Sequence, residues 1–319
     1  MHSGGLLTQQ GGQNATGRPA QLSTQERPRA WLARNHERDD ERLINRRVRS
    51  TVKFLARSVV RAPRDRRTIF FIFGCQRSGT TMLQQTLLNR SWHVLIMEEH
   101  DRRLVGNAPH KTEWQEDAIV FGRIRALPFE VIAVKPLVES YRAAELLETA
   151  GRATAVWMLR HYRDVARSNL LRFGLGNAHR DLQPFITGDS LDWHCRGATE
   201  ETRKRVIELV RNGLEPLDAA ALFWWTRNQL YFDQHLSEDE RFRILRYERI
   251  CSSPEDVIQS LSDYIGVSLP VRSTISRIRS QRAKASPVDE LDPRIEQLCA
   301  KMWNSFEGCP ELSAGPTIL

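Results

Sequence analysis

From residue 69 onward, short apolar runs alternate with segments of helical period. Ile69-Phe70-Phe71-Ile72-Phe73 is an uninterrupted apolar, β-leaning run. Val94-Leu95-Ile96-Met97, Val131-Ile132-Ala133-Val134 and the stretch 153–159 are of the same kind and read as buried strands. Between them, Met82, Leu83, Leu87 and Leu88 recur at helical spacing. Ser140 to Ala150 reads as a helix stopped by Gly151, and residues 200–211 and 216–236 are helical by period. The polar stretch 101–128, with Gly106, Pro109 and Pro128, predicts a long loop with one helical piece. Residues 174–200, with Gly174, Gly176, Pro184 and Gly188, predict a loop near the site. Strands alternating with helices imply an α/β three-layer sandwich around a central parallel sheet, with right-handed crossovers. No internal repeat occurs.

The first strand run leads into Gly74-Cys75-Gln76-Arg77-Ser78-Gly79-Thr80-Thr81 and then into a helix. A strand, a Gly-bounded loop and a helix N-terminus, in that order, make a P-loop-like phosphate cradle. The first turn of a helix has unpaired N–H groups and a partial positive charge. Ser78, Thr80 and Thr81 add hydroxyls, Gly79 allows close backbone approach, and Arg77 adds a cationic fork. The spacing is that of a Walker A loop, but Thr80 stands where that motif needs Lys, and the basic residue lies inside the loop. An ordinary capped helix would also suit these residues.

A second segment favours the cradle. The strand of residues 153–159 delivers Arg160 to its carboxyl end, followed by His161-Tyr162-Arg163-Asp164-Val165-Ala166-Arg167-Ser168. Asp164 suits an N-cap, and Ser168 falls on the helix that follows. In an open parallel sheet the carboxyl ends of the strands form the binding crevice, where Arg160 and Ser168 can meet a second anionic group. Together the two segments resemble the sulfotransferases that use 3′-phosphoadenosine 5′-phosphosulfate (PAPS). The basic-Ser-Gly-Thr-Thr loop for the 5′-phosphosulfate is matched by residues 77–81. The Arg-x-x-(Arg or Lys)-Asp-x-x-x-Ser motif for the 3′-phosphate is matched by Arg160, Arg163, Asp164 and Ser168. A third match, Ile244 to Ile250 followed by Pro254 and a helix-like run to Val267, looks like the family's Tyr-Glu strand and the helix after it. The resemblance spans about residues 69–267 and implies PAPS as co-substrate, no metal, and Tyr247 near the purine. It also implies a late Arg on the 3′-phosphate, with Arg277, Arg279 and Arg282 as competitors.

Charge divides the chain. Residues 1–68 hold 14 Arg and one Lys against six acids, whereas the remainder holds 32 basic and 33 acidic residues. The reading is a basic, partly disordered arm over 1–68 and a nearly neutral sulfotransferase domain over 69–319. From about Asp40 to Arg61, Ile44, Val48, Val52, Leu55 and Val59 face opposite to Arg46, Arg49, Lys53, Arg57 and Arg61. That amphipathic helix suits packing on the domain, an anionic membrane surface or an acidic partner. Few aromatics interleave with the arginines, which disfavours nucleic acid. The five cysteines are widely spaced with no C-x-x-C pair, as free thiols in a reducing cytosol would be. No run approaches a membrane span, and the N-terminus lacks a secretory apolar core, unlike the anchored Golgi members of the family. The expected place is therefore the cytoplasm, with a peripheral membrane contact through the arm as a further option.

Sulfuryl transfer needs an acceptor in position, a base for its proton and compensation of charge on the leaving phosphate. Arg77 and the hydroxyls of Thr80 and Thr81 suit the leaving group. Lys135 ends a strand, where the family's Lys does that work, although the family's Lys-x-His setting is here Lys135-Pro136-Leu137. Some relatives draw the base from the position of Glu98 or Glu99; Glu99 is favoured, with Glu98 and His100 behind it. Close to the cradle's cations such a carboxylate is expected to stay ionised. Lys135 at a solvated strand end, and Glu99 as a mere surface acid, are the plainer alternatives. A lipid, carbohydrate or small-molecule hydroxyl, or an amine, suits the acceptor role, and oligomeric state is open. The rival functions are a P-loop kinase or NTPase, which lacks its Lys at position 80, and a non-enzymatic module acting through the arm. Trp224 and Trp225 are expected in the core.

Overall fold

The structure, a computed structural model, describes residues 51–56, 67–106, 113–211, 213–271 and 290–312. The chain divides into two compact units, 1–53 and 54–319. Of the first, only the start of a helical stretch over 51–56 is described. Most of the expected basic arm, and Arg277, Arg279 and Arg282, lie outside the described residues.

In the second unit, β1 (Thr68–Gly74), β2 (Val94–Glu98), β3 (Val131–Lys135), β4 (Ala153–Leu159) and β5 (Phe242–Arg246) form one sheet. Their order is β2-β3-β1-β4-β5, and all neighbours are parallel. The apolar runs are continuous because both faces of the sheet are covered. Phe71, Phe73, Ala155 and Trp157 look towards the helices Ala143–Ala150, Tyr162–Phe173, Pro216–Asp233 and Pro293–Ser305. Phe70, Ile72, Val156 and Met158 look the other way, onto residues 80–90 and the helix Pro254–Ile265. This is the expected three-layer α/β sandwich. Each fully buried Phe contributes about 1.5–3 kcal/mol of transfer free energy, so the sheet centre is a stiff platform for whatever projects from its edge.

The chain leaves β1 towards β2 and β3, then crosses back to β4 and β5. The reversal about β1 opens a crevice at the carboxyl ends of the strands. Register places the candidate residues along that single edge: Gly74 pairs with Met158, Glu98 with Lys135, and Leu159 with Arg246.

Several local expectations differ from what forms. Residues 174–200 are not one loop, because Asn177–Thr187 is a helix that buries Ala178, Leu182 and Phe185. Pro184 and the flanking glycines disguise its period. The segment expected to be helical from Ser140 begins as a 3₁₀ turn over Leu137–Arg142 and becomes α-helical at Ala143. The helix after the cradle is α-helical only over Thr80–Met82, then π over Leu83–Leu87 and 3₁₀ over Leu88–Arg90. Such irregular helices recur at functional sites. Trp224 and Trp225 are core residues, as expected. Among the described residues, no helix is long and apolar enough to cross a membrane.

Candidate active site

The cradle is built where β1 ends against its neighbours. Gly74 has φ +124°, and a Cβ there would lie 2.5 Å from the Met158 carbonyl oxygen of β4. Gly79 has φ +95°, and its Cβ would lie 2.4 Å from a ring carbon of Tyr247. Both glycines are therefore demanded by backbone conformation and by close approach. Arg77 has φ +69°, a left-handed conformation that costs a non-glycine residue about 1–2 kcal/mol. The loop thus holds strain at the residue that carries its cation.

That cation meets the second motif. Arg77 Nε donates to Ser168 Oγ at 3.1 Å. Arg160 Nη1 donates to the Arg77 carbonyl at 3.4 Å, and the Arg160 guanidinium lies 4.3 Å from the ring centre of Tyr247. The side chains expected at the two ends of the donor are thus contiguous. Asp164 is not the helix cap: His161 holds that position, and Asp164 lies in the first turn, 3.9 Å from Arg160. Arg163 turns to Glu296 at 2.7 Å. Tyr247 opens a short helix, Tyr247–Ser252, rather than lying on the strand. Burial, and then the charges of Arg172 and Arg160, push the Arg77 pKa down. Arginine still stays protonated, so the group remains a concentration of positive charge. Ser78 Oγ and Arg160 Nε are buried without a hydrogen-bond partner. An orphaned hydroxyl and an orphaned guanidinium N–H in a cationic cleft are what an anionic ligand would satisfy.

On the other side of the cradle, Lys135 is buried and forms an ion pair with Glu98. It also donates to Thr81 Oγ1 at 3.3 Å, so it is not a solvated strand end. Glu98 further accepts from Gln85 Nε2 at 3.0 Å. With Glu98 held in this way, Glu99 is the adjacent carboxylate, and His100 Nε2 lies 3.8 Å from it. Burial pushes the Glu99 carboxyl up, against the opposing charges of Lys135 and His100. Desolvation outweighs these cations, so the carboxyl titrates above its ordinary value.

Three participants gave no signal in the sequence. Arg227 is buried beneath the site, donating to Leu137 O at 2.8 Å and Trp193 O at 3.0 Å. Its pKa is lowered to about 10 by burial, with the charges of Cys75 and Glu99 opposing. Asp181, also buried, accepts from Gln76 of the cradle at 3.2 Å and from Asn177 at 2.9 Å. Arg172, together with Arg160, supplies the positive charge that lowers the Arg77 pKa. Each acts across the fold, at separations no local pattern encodes. Among the described residues, no group of three His, Cys, Asp or Glu gathers as metal ligands would.

No protein-family model matches the chain, and no curated protein matches it in sequence. The structure is similar to solved sulfotransferases at low identity. The sulfotransferase domain of the Synechococcus PCC 7002 olefin synthase is 16% identical, over 74% of this chain and 94% of that one, with a TM-score of 0.40. Sulfotransferase STF9 from Mycobacterium avium is 13% identical, over 78% and 79%, with a TM-score of 0.41. Mouse sulfotransferase SULT7A1, complexed with PAP, is 11% identical, over 74% and 73%, with a TM-score of 0.35.

Proposed function

We propose that this site transfers a sulfuryl group from PAPS to a hydroxyl or amine acceptor. One observation carries the reading: Arg77, from the loop after β1, donates to Ser168, and Arg160, from the end of β4, donates to the Arg77 carbonyl. Two anion-binding groups side by side on one strand edge suit a nucleoside with a charged group at each end. On this reading the 5′-phosphosulfate lies in the cradle of Arg77, Ser78, Gly79, Thr80 and Thr81. Arg160 and Ser168 hold the 3′-phosphate, and Tyr247 lies beside the purine.

The reaction forms a bond from sulfur to the acceptor oxygen or nitrogen and breaks the bond from sulfur to the phosphate oxygen, by in-line displacement. Lys135 and Arg77 compensate the charge left on the phosphate. Glu99 accepts the acceptor's proton, because Glu98 is already committed to Lys135. Phosphoryl transfer by a kinase is not favoured. Thr80 replaces the Walker lysine, and Glu98, the one acidic strand end among the described residues, is neutralised by Lys135. Donor binding that vanished on chelation of magnesium would revive that alternative.

The test is calorimetric titration with 3′-phosphoadenosine 5′-phosphate of the wild type, Arg77→Ala and Arg160→Ala. Each substitution should weaken binding at least roughly tenfold, about 1.4 kcal/mol. Unchanged affinity in both variants removes the donor assignment.

A further inference from the structure

The helix Tyr162–Phe173 ends in a tip, Leu171-Arg172-Phe173-Gly174-Leu175-Gly176, in which every residue is exposed. Its apolar side chains are turned to solvent: Leu171 is 85% exposed, Leu175 65% and Phe173 43%. A Cβ built on Gly174 or Gly176 would meet nothing within 4 Å, so the tip projects into open space. Single exposed apolar residues are ordinary, but three within five positions of one projecting turn are not.

The chain on either side of the tip is basic between Asp164 and the buried Asp181. Arg167, Arg172 and Arg180 fall within residues 165–180, a stretch with no Asp or Glu. Arg172 and Arg180 are exposed. The Arg172 guanidinium lies 6.0 Å from the ring centre of Phe173, so a cation and an apolar ring are presented together. Arg172 is also close enough for its charge to lower the Arg77 pKa, which places the tip beside the phosphate cradle.

We infer that this tip docks on an anionic lipid surface. Leu171, Phe173 and Leu175 would enter the boundary between headgroups and acyl chains while Arg172 and Arg180 engage lipid phosphates. Insertion of apolar side chains joined to Coulombic attraction is how such contacts gain strength. Insertion into a bilayer requires no matching concave surface, which suits a projecting turn with apolar side chains at its crest. The contact is separate from the basic arm and does not depend on the transfer reading.

The test is sedimentation of the full chain with vesicles of phosphatidylcholine alone and of equimolar phosphatidylcholine and phosphatidylglycerol. Because the arm is the same in every variant, its contribution cancels when they are compared. Leu171→Ser/Phe173→Ser/Leu175→Ser should lower partition onto the anionic vesicles at least roughly tenfold, and Arg172→Glu/Arg180→Glu should lower it comparably. All these side chains are exposed, so melting measured by circular dichroism should be unchanged in both variants. Equal partition of the triple-serine variant and the wild type overturns the proposal. So does a loss confined to the charge-reversed variant, which would indicate an acidic partner bound by charge alone.

Discussion

Replacing Gly79 by Ala tests whether the cradle and the β5 end form one unit. The new Cβ would lie 2.4 Å from Tyr247 Cδ2 and 3.1 Å from Cε2. Carbon atoms rest at about 3.5–4.0 Å, so the ring must retreat by roughly 1 Å or more. The left-handed backbone at φ +95° adds about 1–2 kcal/mol for any L side chain. Moving the ring also disturbs its contact with the Arg160 guanidinium, of a kind worth about 0.5–2 kcal/mol. The sum is a loss of about 2–4 kcal/mol, to be read from urea unfolding. The decisive variant is the double Gly79→Ala/Tyr247→Ala. Removing the ring removes the clash, so the two single costs should fail to add by at least about 1 kcal/mol. A Gly79→Ala protein within about 0.5 kcal/mol of wild type, or strict additivity in the cycle, would refute the reasoning.

Further expectations concern the chemistry around the crevice. Glu99→Gln should abolish sulfuryl transfer while leaving calorimetric affinity for 3′-phosphoadenosine 5′-phosphate nearly unchanged. Burial raises the Glu99 pKa above its ordinary 4.5, and a base must be ionised. The kcat/KM profile should therefore fall as pH drops through that raised value. Removing the Lys135 charge, which opposes the shift, should move the fall to still higher pH. Lys135→Met removes the cation paired with the partly buried Glu98 carboxylate and should cost about 3 kcal/mol in denaturant unfolding. Burial pushes the Cys75 thiol up to about 12. Mass spectrometry after iodoacetamide treatment at mildly alkaline pH should find it unmodified in the folded protein and alkylated in urea.

What was legible in the sequence was whatever a contiguous stretch encodes. The apolar runs of β1 to β4 announce a sheet buried on both faces, and a Gly-bounded loop between strand and helix announces the cradle. Arg160 and Lys135 could be placed because the last residue of a parallel strand always lies on the same edge as its neighbours' last residues. Local readings failed where two signals competed. Pro184 and three glycines argued for a loop, and the apolar face of Asn177–Thr187 prevailed by burying Phe185 and Leu182. Asp164 has the chemistry of a cap, but the helix begins three residues earlier than that role requires.

The remaining features are pairings made by the folded sheet. Gly79 needs no side chain partly because Tyr247, 168 positions later, occupies the space a Cβ would take. Gln76 is held by Asp181 from a helix that the sequence concealed. The raised Glu99 pKa has the same origin. From sequence, the cradle's cations favour a carboxylate that stays ionised. The fold also removes water from that carboxyl, and desolvation outweighs the cations. Sequence therefore supplies the inventory of ionisable groups at a strand edge, whereas their state depends on burial, which belongs to the three-layer packing as a whole.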